Sequence, residues 1–263
     1  MSVTGAAKPG PSAHVLRSIA DASQKTGVSF DYLFNQARSE SGFNPAARAP
    51  TSSASGLYQF TRQTWLATLD AHGAEHGLGW TVDAIQRLPG GRFAVGDADT
   101  RQAILDLRSD PTASAAMAAE LASDNGNFLS RELGRDATAT DLALAHFLGA
   151  EGAAKFLTAF AANPDASAAP LFPEAAAANR AVFYDQGGAP RSLAAIHTRF
   201  AAMAGGEAPA QPRPATFHQE VSSETRSSGW SGATPNFEPM PKHLSLSFAQ
   251  AAYRRLQAMG SGQ

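Results

Sequence analysis

Residues 37–65 read ARSESGFNPAARAPTSSASGLYQFTRQTW, and the fold and chemistry of the chain are read outward from this stretch. Just before it and into it, Phe30, Leu33, Phe34, Ala37 and Ser41 recur at helical spacing, and Gly42 follows as a stop signal. Glu40 is therefore expected at the end of a helix, with its carboxylate turned toward a Gly/Pro/Ser-rich loop. That loop closes on Gly56-Leu57-Tyr58-Gln59-Phe60, which combines a permissive glycine, an apolar wall and polar handles. Such a mixture suits a pocket for a polar but bulky ligand. The plain alternative is a helix-loop-helix whose Glu is merely solvated, the usual fate of a surface carboxylate.

Outward from the stretch, the periodicity predicts a mainly α-helical fold. A first helix is expected over 13–26, with Val15, Ile19 and Ala22 inward and Gly27 ending it. Ser29 caps the helix that carries Glu40, and Asp31 in its first turn complements the helix dipole. Thr61 caps the next helix, through Trp65, Leu66 and Leu69, with Gly73 closing it and Trp65 read as a core anchor. From Gly77 to Asp99 the pattern breaks into a small irregular or β lobe, with a hairpin suggested by Leu88-Pro89-Gly90-Gly91-Arg92-Phe93.

Asp110-Pro111 opens a long helix through Met117 and Leu121 toward Leu133, stopped by Gly134. Thr138 or Thr140 opens another through His146, Phe147 and Leu148, and Gly152 to Ala162 follows up to Asn163-Pro164. A helix from Pro173 to Phe183 and Tyr184, and a last one after Ser192, complete the domain. The expected organisation is a flexible leader over 1–11, a folded domain over 12–205, a Pro/Gly/Ser-rich linker over 206–241, and a short amphipathic helix or tail over 242–263.

Composition narrows the function classes. A net charge of -2 and a pI near 6.4, with no basic stripe, argue against nucleic-acid binding. No apolar run approaches the roughly 20 residues needed to span a bilayer, and residues 1–14 lack the basic-then-apolar order of a secretory signal. Zero cysteines exclude disulfides and thiolate metal sites. The seven histidines show no H-E-x-x-H or other ligand spacing, so neither a catalytic metal nor a cofactor is expected.

Glu40-Ser41-Gly42-Phe43-Asn44-Pro45-Ala46-Ala47, a Ser/Ala/Gly-rich spacer, Gly56-Leu57-x-Gln59-Phe60 and then Thr64-Trp65 resemble the soluble lytic transglycosylase family, of the lysozyme-like superfamily. A later element, Ala145-His146-Phe147-Leu148-Gly149, resembles that family's Ala-Tyr-Asn-x-Gly, with His146 where Tyr is usual and Phe147 where Asn is usual. A satisfied helix histidine near the core is an equal reading of His146.

The resemblance implies a peptidoglycan glycan strand as partner, Glu40 as the catalytic residue, and Ser41, Ser55, Tyr58, Gln59, His146 and Phe147 as groove residues; Tyr58 stands where Met is more common. Glycosidases usually use two carboxylates about 5–9.5 Å apart, yet the next acidic residue after Glu40 is Asp70. The family resolves this with one Glu, which protonates the bridging oxygen and then deprotonates the sugar's primary hydroxyl, closing a 1,6-anhydro ring. An acid that holds its proton near neutrality needs an apolar wall, and Phe43, Leu57 and Phe60 are the candidates.

Two alternatives stay open: a muramidase that hydrolyses the same bond, and a non-catalytic glycan-binding or secretion-apparatus protein. The resemblance further implies a monomer acting in the periplasm or cell wall, by a route that the sequence does not show. The tail is a candidate docking element for a secretion or flagellar assembly.

Overall fold

The computed structural model describes residues 10–50 and 52–205. The expected leader up to residue 9, the linker over 206–241 and the tail over 242–263 lie outside the described residues. The described fold is mostly helical, with one two-stranded antiparallel sheet.

α1 (Ala13–Thr26) starts at Ser12, whose hydroxyl accepts from the Val15 amide, and ends at a left-handed Gly27. α2 (Phe30–Ser41) starts at Ser29 and ends at a left-handed Gly42. Both ends follow the rule that a short side-chain acceptor satisfies an orphan amide and that glycine takes the positive φ of a C-terminal cap. α3 (Arg62–His72) is capped by Thr61. It ends at His72 with Gly73 as its C-cap, as expected, but Gly73 is right-handed, with a φ of -57°, and the chain runs on through a 3₁₀ turn, Gly73–His76, to a left-handed Gly77.

α4 (Gly79–Ala84) leads into the hairpin of β1 (Ile85–Leu88) and β2 (Arg92–Val95), in register from Ile85 opposite Val95 to Leu88 opposite Arg92. α5 (Ala98–Asp106), capped by Asp97, follows. The sequence reading gave neither α4 nor α5. Both are short, and their apolar residues are too few to show a period.

α6 (Pro111–Leu133) is the hub of the domain, packed against α1, α2, α3, α7 (Ala139–Leu148) and α8 (Ala150–Ala162). Its buried face is made of Ala113, Ser114, Ala115, Ala116, Met117, Ala118, Ala119, Ala122 and Leu129. Small side chains let several helices approach one axis, which is why an alanine-rich stretch sits at the centre.

Thr138 caps α7 in a capping box with Asp141, whose buried carboxylate also pairs with Arg135 at 2.6 Å. The expected helix from Pro173 to Phe183 is two pieces, α9 (Pro173–Ala178) and α10 (Arg180–Phe183), broken at Asn179. Asn179 is buried and its side-chain amide donates to the Ala175 carbonyl, so a local side-chain bond competes with the helix ladder. α11 (Leu193–Ala204) starts at Ser192 and packs on α7 and α2.

Candidate active site

Phe43 and Gln59 are the two non-glycine residues with positive φ, at 66° and 50°, among the described residues. Left-handed backbone costs a residue with a side chain roughly 1–2 kcal/mol. Gln59 offsets that cost because its side-chain amide donates to the carbonyls of Gly56, at 2.9 Å, and Ala47, at 3.1 Å. Gln59 thus ties the two ends of the loop together while lining the cavity beneath it.

Arg108 closes the loop from below. Its guanidinium donates to the carbonyls of Leu105, Ser53 and Phe60 and pairs with no carboxylate in these bonds. Burial, followed by the nearby Arg62 and Arg48, holds its pKa below the usual arginine value. Gly56 lies directly on this arginine's backbone: a Cβ there would stand 1.8 Å from the Arg108 carbonyl oxygen, and its φ is +88°. The glycine of Gly-Leu-x-Gln is required by this close approach.

A cavity of about 430 Å³ lies between the loop, α2, α6, α7 and α9. Its walls alternate apolar surface, from Phe60, Leu121 and Phe172, with polar groups from Gln36, Gln59, Thr61, Thr64, Asn125 and His146, and Glu174 stands at the exposed rim. This size and mixture match the cavities that take small polar ligands.

Glu40 stands behind that wall. Its side chain has no exposed surface, and its Oε1 accepts from His146 Nε2 at 3.0 Å. The other His146 nitrogen, Nδ1, lies 3.2 Å from Gln36 Nε2. Donation from Gln36 to Nδ1 and from Nε2–H to Glu40 satisfies both bonds with a neutral ring. Glu40 Oε2 is buried and has no hydrogen-bond partner, which is costly for a carboxylate oxygen.

Tyr32, beside the pair, donates to the Leu142 carbonyl at 3.4 Å. Its phenol is pushed well above its ordinary pKa, first by burial and then by the charge of Glu40. Tyr58 is likewise pushed up, by burial and then by Tyr32.

The site residues expected from sequence separate into two groups. Tyr58, Gln59 and His146 line the cavity, although the Tyr58 hydroxyl is already spent on the Leu33 carbonyl at 3.2 Å. Ser41 and Ser55 do not line it. The Ser41 hydroxyl donates to the carbonyls of Ala37 and Leu57, pinning the helix end to the loop, and Ser55 is a buried bridge residue between Arg48 and Phe60.

Phe147 belongs to the core, not to the groove: it is 1% exposed, with its ring 5.0 Å from Phe200 and 6.2 Å from Phe183. Adjacent helix positions point about 100° apart, so the turn that aims His146 at the cavity aims Phe147 at α11.

Of the expected apolar wall, Phe60 lines the cavity, Leu57 is buried in the core and Phe43 packs on Phe34 at 4.7 Å. Asp70 is held by Arg87 at 2.6 Å in the hairpin. Trp65 is fully buried and its indole donates to the Ile104 carbonyl, as a core anchor.

Sequence reading missed Gln36, Asn125, Thr64 and Glu174. Gln36 had a signal, since it lies four residues before Glu40 on the same helix face. The other three reach the cavity only through tertiary packing. It also missed a cluster away from the cavity, in which donor atoms of His72, Glu75 and Glu120 lie within 4.8 Å of one another.

Residues 17–74, from within α1 through α2, the loop and α3 into the 3₁₀ turn, match the family model of the transglycosylase SLT domain. The match takes in Glu40, Gly56 and Gln59, and leaves out His146 and Glu174 on the opposite wall. Over that stretch the chain is therefore similar to the transglycosylase SLT domain, and its mostly helical architecture with one small sheet is consistent with a lysozyme-like fold.

Proposed function

We propose that the protein is a lytic transglycosylase that cleaves the β-1,4 bond between N-acetylmuramic acid and N-acetylglucosamine without water, with Glu40 as acid and then base. The observation that carries this reading is the placement of Glu40: a buried carboxylate with one unpartnered oxygen, one histidine away from a polar-and-apolar cavity. In the first step the protonated carboxyl gives its proton to the bridging oxygen. The substrate's N-acetyl group stabilises the positive anomeric centre, as in substrate-assisted glycosidases. In the second step ionised Glu40 takes the proton of the sugar's primary hydroxyl, whose oxygen closes the anhydro ring. Intramolecular attack gains from proximity, and a site that excludes water favours ring closure over hydrolysis.

Because Glu40 has no exposed side-chain surface, His146 must turn aside when substrate enters. Both ring nitrogens are engaged inside the protein, so His146 cannot pass the proton to a sugar from its present orientation. His146→Ala is therefore expected to open Glu40 and to reduce lysis of purified sacculi by less than the about 10²-fold at the low end of general acid–base effects. A loss as complete as that of a Glu40 variant would make His146 itself the proton donor.

One observation favours the hydrolytic alternative: Glu174 is a second carboxylate at the same cavity. Mass spectrometry of muropeptides decides between them. The expected product ends in 1,6-anhydro-N-acetylmuramic acid, lighter by one water than the reducing end, for both the wild type and Glu174→Gln. Reducing ends from the wild type that vanish with Glu174→Gln would make the protein a muramidase with two working carboxylates.

Peptidoglycan as substrate puts the site of action in the periplasm or cell wall, and no helix among the described residues is long and apolar enough to cross a membrane. We further propose that residues 12–205 form the catalytic unit, acting as a monomer, and that the segment after them docks the enzyme on an assembly in the envelope.

A further inference from the structure

The cluster at the junction of α3 and α6 has a donor set and a pattern of hydrogen bonds that the proposed cleavage does not use. His72 and His76 lie four residues apart, one at the end of α3 and one in the 3₁₀ turn, and face Glu120 and Asp124, four apart on α6. The bonds between them fix which nitrogen of each ring carries a proton. His72 Nε2 meets Asp124 Oδ2 at 2.8 Å, and a carboxylate only accepts, so Nε2 carries the hydrogen and Nδ1 of the neutral ring keeps its lone pair. That Nδ1 is buried, has no hydrogen-bond partner, and faces Glu120 Oε2 at 3.6 Å, too long for a hydrogen bond.

His76 holds the other oxygen of the same carboxylate. Its Nε2 lies 2.6 Å from Glu120 Oε1, while its Nδ1 faces the Lys25 ammonium at 3.4 Å. The lysine favours a lone pair at Nδ1, which puts the hydrogen on Nε2 toward Glu120. One lone pair of His72 and one oxygen of Glu120 are thus left facing each other. Lys25 also donates to the Glu75 backbone carbonyl, which fixes that residue beside them.

We infer that His72 Nδ1, Glu120 Oε2 and the Glu75 carboxylate form a binding site for a transition-metal dication of the zinc type. Two ligands at about 2.0–2.2 Å from a tetrahedral zinc stand roughly 3.3–3.6 Å apart, which is the separation of His72 Nδ1 and Glu120 Oε2. One imidazole and two carboxylates suit zinc-type ions better than magnesium, which takes oxygen ligands and keeps its waters. Asp124 and His76 are the supporting shell, each holding one ligand by its second polar atom, the arrangement that orients metal ligands and sets their basicity.

The metal joins the segment after α3 to α6. α3, whose last residue is His72, and α6 also wall the cavity, through Thr64 and through Leu121 and Asn125, so the ion braces the groove without entering it.

The test uses the full chain, untagged and stripped with a chelator, titrated with zinc chloride or magnesium chloride by calorimetry and by thermal melting. Zinc is expected to bind at one site per chain and to raise the melting temperature, while magnesium does neither. Asp124→Asn should weaken zinc binding about 10- to 100-fold. Glu75→Gln changes an exposed side chain, so the apo protein should melt as the wild type does, with zinc binding weakened by at least tenfold. No zinc binding, an equal response to magnesium, or zinc binding that Glu75→Gln leaves unchanged would each overturn the site. Sacculus lysis by the stripped protein is read separately, so failure of this site and failure of the Glu40 assignment remain distinguishable.

Discussion

Glu40→Gln is expected to fold as the wild type does and to lose nearly all lysis of purified peptidoglycan. The amide keeps an oxygen to accept from His146 Nε2, which now accounts for one carboxylate bond at 3.0 Å. Its nitrogen takes the place of Oε2, the atom that has no partner in the fold. The substitution therefore removes no hydrogen bond of the fold, and the melting temperature should stay level. Activity does not, because an amide cannot give a proton and take one back. General acid–base catalysis alone is worth about 10²- to 10⁴-fold, and Glu40 is asked to supply both halves of it. Turbidity loss on sacculi together with a thermal melt makes the measurement. A folded variant that keeps a third of wild-type lysis would remove Glu40 from the mechanism.

The second large effect is on stability. Gly56→Ala adds one methyl group, yet that carbon would sit 1.8 Å from the Arg108 carbonyl oxygen and 2.6 Å from its carbon, at a φ of +88°. Backbone cannot rotate away as a side-chain tip can, so either the loop or the turn bearing Arg108 must move. Moving the arginine breaks its bonds to the Ser53 and Phe60 carbonyls. We expect a loss of about 4 kcal/mol or more, in the range reserved for named structural faults. At roughly 2–4 °C per kcal/mol for a domain of this size, the melting temperature falls by about 8 °C or more, and Gln59 loses its place in the cavity wall. Denaturant unfolding checks it: a loss below about 1 kcal/mol would mean that the loop is far more pliant than its packing indicates.

Much of this was legible in the linear sequence because its causes are local. The ends of α1 and α2 follow from Ser12, Gly27, Ser29 and Gly42, and the start of α6 from Asp110-Pro111, since capping is decided within a few residues of the helix end. The same locality placed Glu40 at a helix terminus before a tight loop, and made the SLT motif readable as residue types in order. Where tertiary packing overrules local signals, the reading stopped. Gly73 caps α3 as its residue type suggests, but with right-handed backbone, and a Cβ there would lie 3.1 Å from the Thr81 hydroxyl, so close packing on α4 is a further reason for a glycine that no local signal shows.

The sequence alone determined the helical class, the caps, the catalytic candidate and the glycine of the loop. Only the tertiary structure decided what faces what. His146 and Phe147 are neighbours in the chain, yet one borders the cavity and the other is 1% exposed in the core, because the direction in which α7 packs against α11 sets the rotation of the helix. Glu40 meets a histidine 106 positions away, and His72 meets Asp124 across 52. Residues so far apart are brought together by burial of the helices' apolar faces, a non-directional force summed over the whole core, and no local pattern of residue types encodes which polar groups will then meet.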